Sequence, residues 1–361
     1  MQRLLFLAFA SLLAVTFGLM PSALSADTSK AVIEKAVTGY ILPSQQEFST
    51  ASQALSGEVK TLCEAPSPES LDGARMGFDE LVSAWAAVSV VNIGPIMEKN
   101  RRERLLFWPD RRGVGLRQVQ AVLSEKDPQA ATVAGLAQKS VALQGLAALE
   151  FVLYGTGSET LSDGLDDYRC RFAIAISGNI ANIASELLDG WQDPDGFAIA
   201  WENPAEDNDL YRNETEALSA LVNLFTNGFE YFDTVEIGGF LGTTPDRDRP
   251  RRALFRRSGN TLKLLRDTMS EFQSLYEASE VATLLPEEFR WIEDRISFGF
   301  RQANGSLASL SGTAADLVEE PEQRSKLAYI ALVTRGLNDD FGNKLTGALG
   351  LTSNFSSLDG D

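Results

Sequence analysis

Gln144-Gly145-Leu146-Ala147-Ala148-Leu149-Glu150-Phe151-Val152-Leu153-Tyr154-Gly155 is apolar on almost every side of a helix, the pattern of a buried helix rather than a surface one. A single carboxylate, Glu150, lies inside the run. Moving an unpaired carboxylate out of water is costly, so Glu150 is expected to be neutral, paired, hydrogen-bonded or metal-bound. Gly155 stands where a C-terminal glycine cap belongs. The other helices are expected to pack around this one, with any site near Glu150. The alternative is that Glu150 reaches the surface or pairs with an arginine and only shapes the fold. Ala147 is one turn before Glu150 on the same face, with Leu143 and Tyr154 near it. Tyr154 is either a donor or phenolic ligand beside that carboxylate or an ordinary core aromatic.

Outward from this stretch, apolar residues recur at helical spacing. The first half reads as four main helices, near 28–62, 69–93, 140–154 and 166–188. Pro43 is expected to kink the first or divide it. Ser67-Pro68-Glu69 supplies an N-cap, a proline at the first helical position and an acidic first turn. Residues 191–209 are rich in Asp, Pro, Asn and Gly and read as a loop between domains. The second half reads as four more helices, near 210–236, 259–279, 286–302 and 321–349. Strict alternation is scarce, so little or no sheet is expected. The expected architecture is all-α: two four-helix-bundle-like domains, 27–190 and 210–361, joined by the 191–209 linker.

The first 26 residues read as a secretory signal. Arg3 gives a positive start, Leu4 to Leu13 an apolar run, and Ala23-Leu24-Ser25-Ala26 a small-x-small cleavage site. Cleavage near Ala26 would release a protein into the bacterial periplasm, with no transmembrane segment after signal removal. A formal net charge of −18 repels nucleic acid and attracts cations. The chain has no histidine, which excludes a Ser-His-Asp triad, an H-E-x-x-H zinc site and a histidine-ligated haem. A metal site would have to use carboxylates, carbonyls, tyrosine or water, ligands that suit hard cations. The two cysteines, Cys63 and Cys170, are expected to pair, because export leads to an oxidising compartment. The bundle topology agrees, since Cys63 follows the end of the first helix and Cys170 begins the fourth.

The connection after residue 96 holds Phe107-Trp108-Pro109-Asp110 among a dense set of arginines. Asp110 is read either as a rigidly placed group at a pocket mouth or as the cap of the next segment, with Trp108 anchoring the loop or plugging the bundle end. Arg101, Arg102, Arg104, Arg111 and Arg112 form one basic cluster, and Arg247, Arg249, Arg251, Arg252, Arg256 and Arg257 another. Arg111, Arg251 and Arg256 are candidates for holding an anion such as a carboxylate-bearing chelate. The competing reading is that the clusters neutralise Asp and Glu across the domain interface.

Gly145-Leu146-Ala147-Ala148-Leu149-Glu150 and the apolar run to Gly155 resemble the hallmark of the imelysin-like family, G-x-H-x-x-E followed by an apolar run and a glycine. The motif histidine is replaced here by Ala147. Phe107-Trp108-Pro109-Asp110 with Gly113, Asn92-Ile93-Gly94-Pro95 and the closing Phe355-Ser356-Ser357-Leu358-Asp359-Gly360-Asp361 extend the likeness to the branch of predicted periplasmic proteins. The resemblance implies two four-helix bundles with a site between them near the motif glutamate, and an association with iron uptake. Gly145 and Glu150 carry the motif over; the change at Ala147 weakens metal binding by the usual motif and the family's metallopeptidase label further.

The function expected from these readings is an exported binding protein linked to iron or other cation handling, with a site formed by Glu150, Tyr154, Trp108 and Asp110 and Glu150 as the metal ligand. Its ligand would be iron, another divalent cation or a metal chelate, and its partners other periplasmic or membrane iron-uptake proteins. The alternatives are a metallopeptidase-like hydrolase and a non-catalytic partner-binding scaffold.

Overall fold

The computed structural model describes residues 26–351, which fold into helices and connections with no strand among them. The signal reading of the first residues and the closing 355–361 stretch lie outside the described residues. The first helix, α1 (Ala26–Ala36), runs through a wide π turn (Val37–Ile41) straight into α2 (Leu42–Glu64). Pro43 therefore does not divide the helix. Its ring would crowd the carbonyl four residues back, and the widened turn lies just there.

Ser67 caps α3 (Pro68–Ser89), accepting the Ser70 N–H at 3.1 Å. After Gly94, at φ +67°, a 3-10 segment and α4 (Arg101–Leu105) lead to the 106–113 loop. Then come α5 (Val114–Glu125), α6 (Val133–Leu136), α7 (Leu146–Tyr154) and α8 (Asp167–Gln192). Helix α7 starts later than the period from 140 predicts, because Gly145 is extended and only a 3-10 turn precedes it. Cys63, near the end of α2, is joined to Cys170 in the first turn of α8, with Cα atoms 5.6 Å apart. The bridge closes a separation of 107 residues, a constraint on the order of 4–5 kcal/mol in the chain-entropy model.

The stretch 191–209 is not all loop. It holds α9 (Phe197–Glu202), whose Trp201 is fully buried and donates its indole N–H to the Ala217 carbonyl at 2.8 Å. Next are α10 (Glu214–Tyr231), extended by a π segment (Phe232–Ile237), α11 (Thr261–Ser279), α12 (Trp291–Ala308), α13 (Asp316–Glu319) and α14 (Pro321–Asp339). A second π segment (Asp340–Leu345) and α15 (Thr346–Ala348) close the described chain. Asp340, buried beside Phe341, pairs with Arg295 at 3.0 Å and Lys344 at 2.7 Å, so it is a structural ion-pair centre.

Two apolar clusters form the interior. One gathers the later turns of α2 with α3, α5, α7 and α8, around Phe48, Phe78, Leu149 and Phe172. The other gathers α10, α11, α12 and α14 around stacked phenylalanines; the Phe225 and Phe341 rings are 4.3 Å apart. Each fully buried side chain of this size contributes about 1.5–3 kcal/mol through removal of apolar surface from water. The clusters exchange chain across the 191–209 stretch. Val32, Ile33 and Ile41 belong to the second cluster, while Leu254, Phe255 and Leu264 belong to the first. The 253–260 connection thus reaches α7, and a cavity forms where the two sets of helices meet.

Candidate functional site

Helix α7 is fixed at its start by a close approach. A Cβ on Gly145 would stand 2.1 Å from the Leu105 carbonyl oxygen and 2.4 Å from that of Arg104. Only glycine lets the chain pass the end of α4 there. Arg104 secures the crossing, donating to Gln144 Oε1 at 2.8 Å and Asn179 Oδ1 at 3.1 Å. Gly145 is thereby a packing residue and does not line the cavity. At the other end, Gly155 closes α7 in an extended conformation rather than a left-handed one.

One turn after Ala147, the Glu150 carboxylate points to the 253–260 connection. Its Oε1 accepts the backbone N–H groups of Arg257 at 2.8 Å and Ser258 at 3.0 Å, and the Ser258 hydroxyl at 3.2 Å. The Arg257 guanidinium lies 3.8 Å from Oε2 and over the Phe151 ring. Burial raises the carboxyl above its usual value; the Ser258 and Arg257 groups pull against that rise. The connection is shaped to present these donors by Phe255, which holds the left-handed region at φ +55°. A non-glycine residue there is strained unless its surroundings fix it. Phe255 is fully buried, edge-on to Phe78.

The cavity has a volume of about 470 Å³. Phe107, Trp108, Leu116, Phe151, Leu254 and Phe255 supply apolar walls, with Ala147 and Ala148 leaving room where a longer side chain would intrude. Of the expected site residues, Glu150, Trp108, Asp110, Arg111, Arg251 and Arg256 all line it. Arg252 and Arg257 line it too. Among the described residues, the side chains of Arg111, Arg251 and Arg252 make no hydrogen bond or ion pair, while Arg256 donates to the Arg251 carbonyl at 2.9 Å. These arginines do not neutralise neighbouring acids; Arg257 does so between the two sets of helices, at Glu150, and Arg101 within the first, buried against Glu186 at 2.9 Å.

Asp110 is a helix cap. Its carboxylate accepts the N–H groups of Val114 at 2.7 Å, Gly115 at 2.9 Å and Leu116 at 3.3 Å, at the start of α5. Tyr154 is turned away from the cavity: its hydroxyl meets the Arg75 carbonyl at 3.0 Å and Asp79 Oδ1 at 3.1 Å, and its ring packs on Phe78. Burial and the nearby Asp79 push that phenol upward. The expected meeting of Tyr154 with Glu150 as joint ligands therefore does not occur.

A metal ion at Glu150 does not fit these residues. One carboxylate oxygen is taken by three donors, a guanidinium faces the other, and Asp110 is committed to α5. Among the described residues, no group of three or more His, Cys, Asp or Glu side chains is placed to hold a metal. Sequence reading missed the part played by Ser258, because a backbone N–H leaves no mark in residue type.

The same helices occur in known proteins. A crystal structure of an imelysin-like protein from Psychrobacter arcticus 273-4 superposes with a TM-score of 0.76 at 20% identity, covering 92% of this chain and 98% of that one. A structure described as a "putative iron-regulated protein A precursor" from Parabacteroides distasonis ATCC 8503 gives a TM-score of 0.74 at 13% identity, covering 91% and 96%. These likenesses speak to the fold. A comparison with curated protein sequences finds no match. The family model described as Imelysin (Peptidase_M75) matches residues 36–338. With that match over most of its length, from the last residue of α1 to the last turn of α14, the chain belongs to the Imelysin family.

Proposed function

We propose that the protein is an exported binding protein that captures a polycarboxylate anion, alone or as a chelate carrying a metal ion, in the cavity between its bundles. The observation that supports this most is the unpaired set Arg111, Arg251 and Arg252, with Arg256 beside them, around an apolar-walled cavity. The two carboxylates of the cavity are already satisfied by hydrogen bonds, so they do not compete for these cations. Arginine forks bind carboxylates with two parallel hydrogen bonds, and partial exclusion of water strengthens them. The name of the Parabacteroides protein speaks of iron regulation, which favours an iron-bearing chelate as the cargo. Export to the periplasm rests on the apolar run after Arg3, and a disulfide suits such a compartment. Membrane-bound iron-uptake proteins are the partners this role would call for. No catalytic step is required of the residues around the cavity.

The test is a calorimetric titration of the metal-stripped protein with citrate, ferric citrate and a ferrous salt, alongside the double variant Arg251→Ala/Arg256→Ala. Saturable binding of citrate or ferric citrate is expected, with the double variant weaker by tenfold or more, about 1.4 kcal/mol. Binding of the bare ferrous ion, with no response to either polycarboxylate, would overturn the proposal.

A further inference from the structure

A second cavity, about 270 Å³ in volume, lies on the other side of the Trp108–Pro109 segment. Phe107, Trp108 and Pro109 line both cavities. The second is walled by aromatic rings: Trp85, Phe107, Trp108, Tyr231, Phe232 and Phe272. Glu236, from the π segment after α10, and Thr268, from α11, also line it. Glu236 is 8% exposed, and its Oε2 has no hydrogen-bond partner; the buried Thr268 Oγ1 has none either. A buried carboxylate without a donor is costly, and native structures rarely keep one without a use.

We propose that this cavity binds a small organic ammonium ion, held by Glu236 and Thr268 inside the box of aromatic rings. Both residues line the cavity, and neither of these oxygens has a hydrogen-bond partner among the described residues. Aromatic faces attract cations, and one wall already does so: the Arg102 guanidinium lies 5.3 Å over the Tyr231 ring. Arg102 acts on Glu236 through its charge but makes no ion pair with it among the described residues, so the carboxyl group keeps room for a donor. A bare metal ion would find Glu236 and the exposed Glu103 as acidic side chains, and among the described residues no three His, Cys, Asp or Glu side chains are grouped to hold it, a poor set for a hard cation. The net charge of −18 favours approach of any cation.

Protonation gives the site a signature. Burial lifts the Glu236 carboxyl to about 8, with Arg102 the opposing influence. The other charged or titratable groups lining the cavity are Arg102, Glu103 and Tyr231. Tyr231 is pushed upward by burial and by Glu236, so it stays neutral, and Glu103 is exposed. An ammonium ion bound below that pH must displace the proton from Glu236. Affinity then rises about tenfold per pH unit until Glu236 is ionised, and levels off above.

The full chain is titrated with tetramethylammonium, ethanolamine and putrescine at about pH 6 and about pH 8.5. Tryptophan fluorescence follows binding, and calorimetry in two buffers counts protons. Saturable binding of at least one probe is expected, tighter at the higher pH and releasing about one proton at the lower. Glu236→Gln should weaken it tenfold or more, whereas Arg251→Ala/Arg256→Ala should leave it unchanged; the result is thus separate from the fate of polycarboxylate capture. No saturable binding of any probe, or binding that Glu236→Gln leaves intact, would overturn the proposal. If Glu236→Gln does not fold, the proton count and Thr268→Val decide: release with weakened binding supports the site, and binding without release sinks it.

Discussion

Glu150 on α7 and Ser258 ahead of α11 are 108 residues apart, yet the Ser258 N–H donates to Glu150 Oε1 at 3.0 Å. Together with the Arg257 N–H at 2.8 Å, this makes Glu150 a brace between the two sets of helices. A brace and a metal ligand respond differently to mutation. Removing the carboxylate by Glu150→Ala leaves two inward-facing N–H groups without an acceptor, at about 1–3 kcal/mol each. Glu150→Gln keeps one carbonyl oxygen for them. The alanine variant should therefore unfold at clearly lower urea than the glutamine variant, by about 2–4 kcal/mol in unfolding free energy. Equal stabilities would show that Glu150 braces nothing.

Gly145→Ala tests the other end of the same helix. The added methyl would overlap the backbone of α4, whose carbonyl oxygens lie 2.1 and 2.4 Å from its position. Backbone cannot swing aside as a side chain can, so α7 must shift. A loss on the order of 2–3 kcal/mol or more is expected in denaturant unfolding. A variant as stable as the parent would mean that the crossing of α4 and α7 is looser than the structure has it.

Glu236 makes a prediction about pH that needs no ligand. Its carboxyl titrates near 8 when folded, against 4.5 ordinarily. Between those values the folded chain binds a proton that the unfolded chain does not. Stability from this group is fully present below about 4.5 and falls as pH rises toward 8, by about 1.4 kcal/mol per unit. Glu236→Gln has no such proton. Urea midpoints of the variant should gain on the parent from about pH 5 to about pH 8 and then run parallel. Parallel profiles throughout would show that Glu236 is not buried as described.

The helical order was legible because apolar residues keep a 3.6-residue period, and that period survives the widened turn at Val37–Ile41. The family was legible from Gly145 and Glu150 with the apolar run on to Gly155, taken together with Phe107-Trp108-Pro109-Asp110 and Asn92-Ile93-Gly94-Pro95. The site was legible in part. Isolation among apolar neighbours marked Glu150 as unusual, and arginine density marked Arg111, Arg251 and Arg256; all four line one cavity. Roles were harder to read. The N–H groups that hold Asp110 and Glu150 belong to backbone, which carries no signature in sequence. Tyr154 shares a helical face with Glu150, but Arg75 and Asp79 on α3 draw its hydroxyl away. Glu236 carries no mark like that of Glu150, because Glu230 and Asp233 stand in the same stretch and Gly238-Gly239 give it the look of an exposed helix end.

The unbroken passage from α1 into α2 bears on how the protein can be taken apart. The first helical turns are stitched into the cluster built mainly by the second half of the chain, through Val32, Ile33 and Ile41. A recombinant fragment starting near residue 210 would lack that strip and show water the apolar groove it fills. Severing the chain at 191–209 would likewise strand Trp191 and Trp201, which are buried in the same cluster. The two bundles are therefore better regarded as interlaced lobes than as modules to be swapped. Autonomous pieces would call for a circularly permuted gene, in which residues 26–41 follow the C-terminal helices.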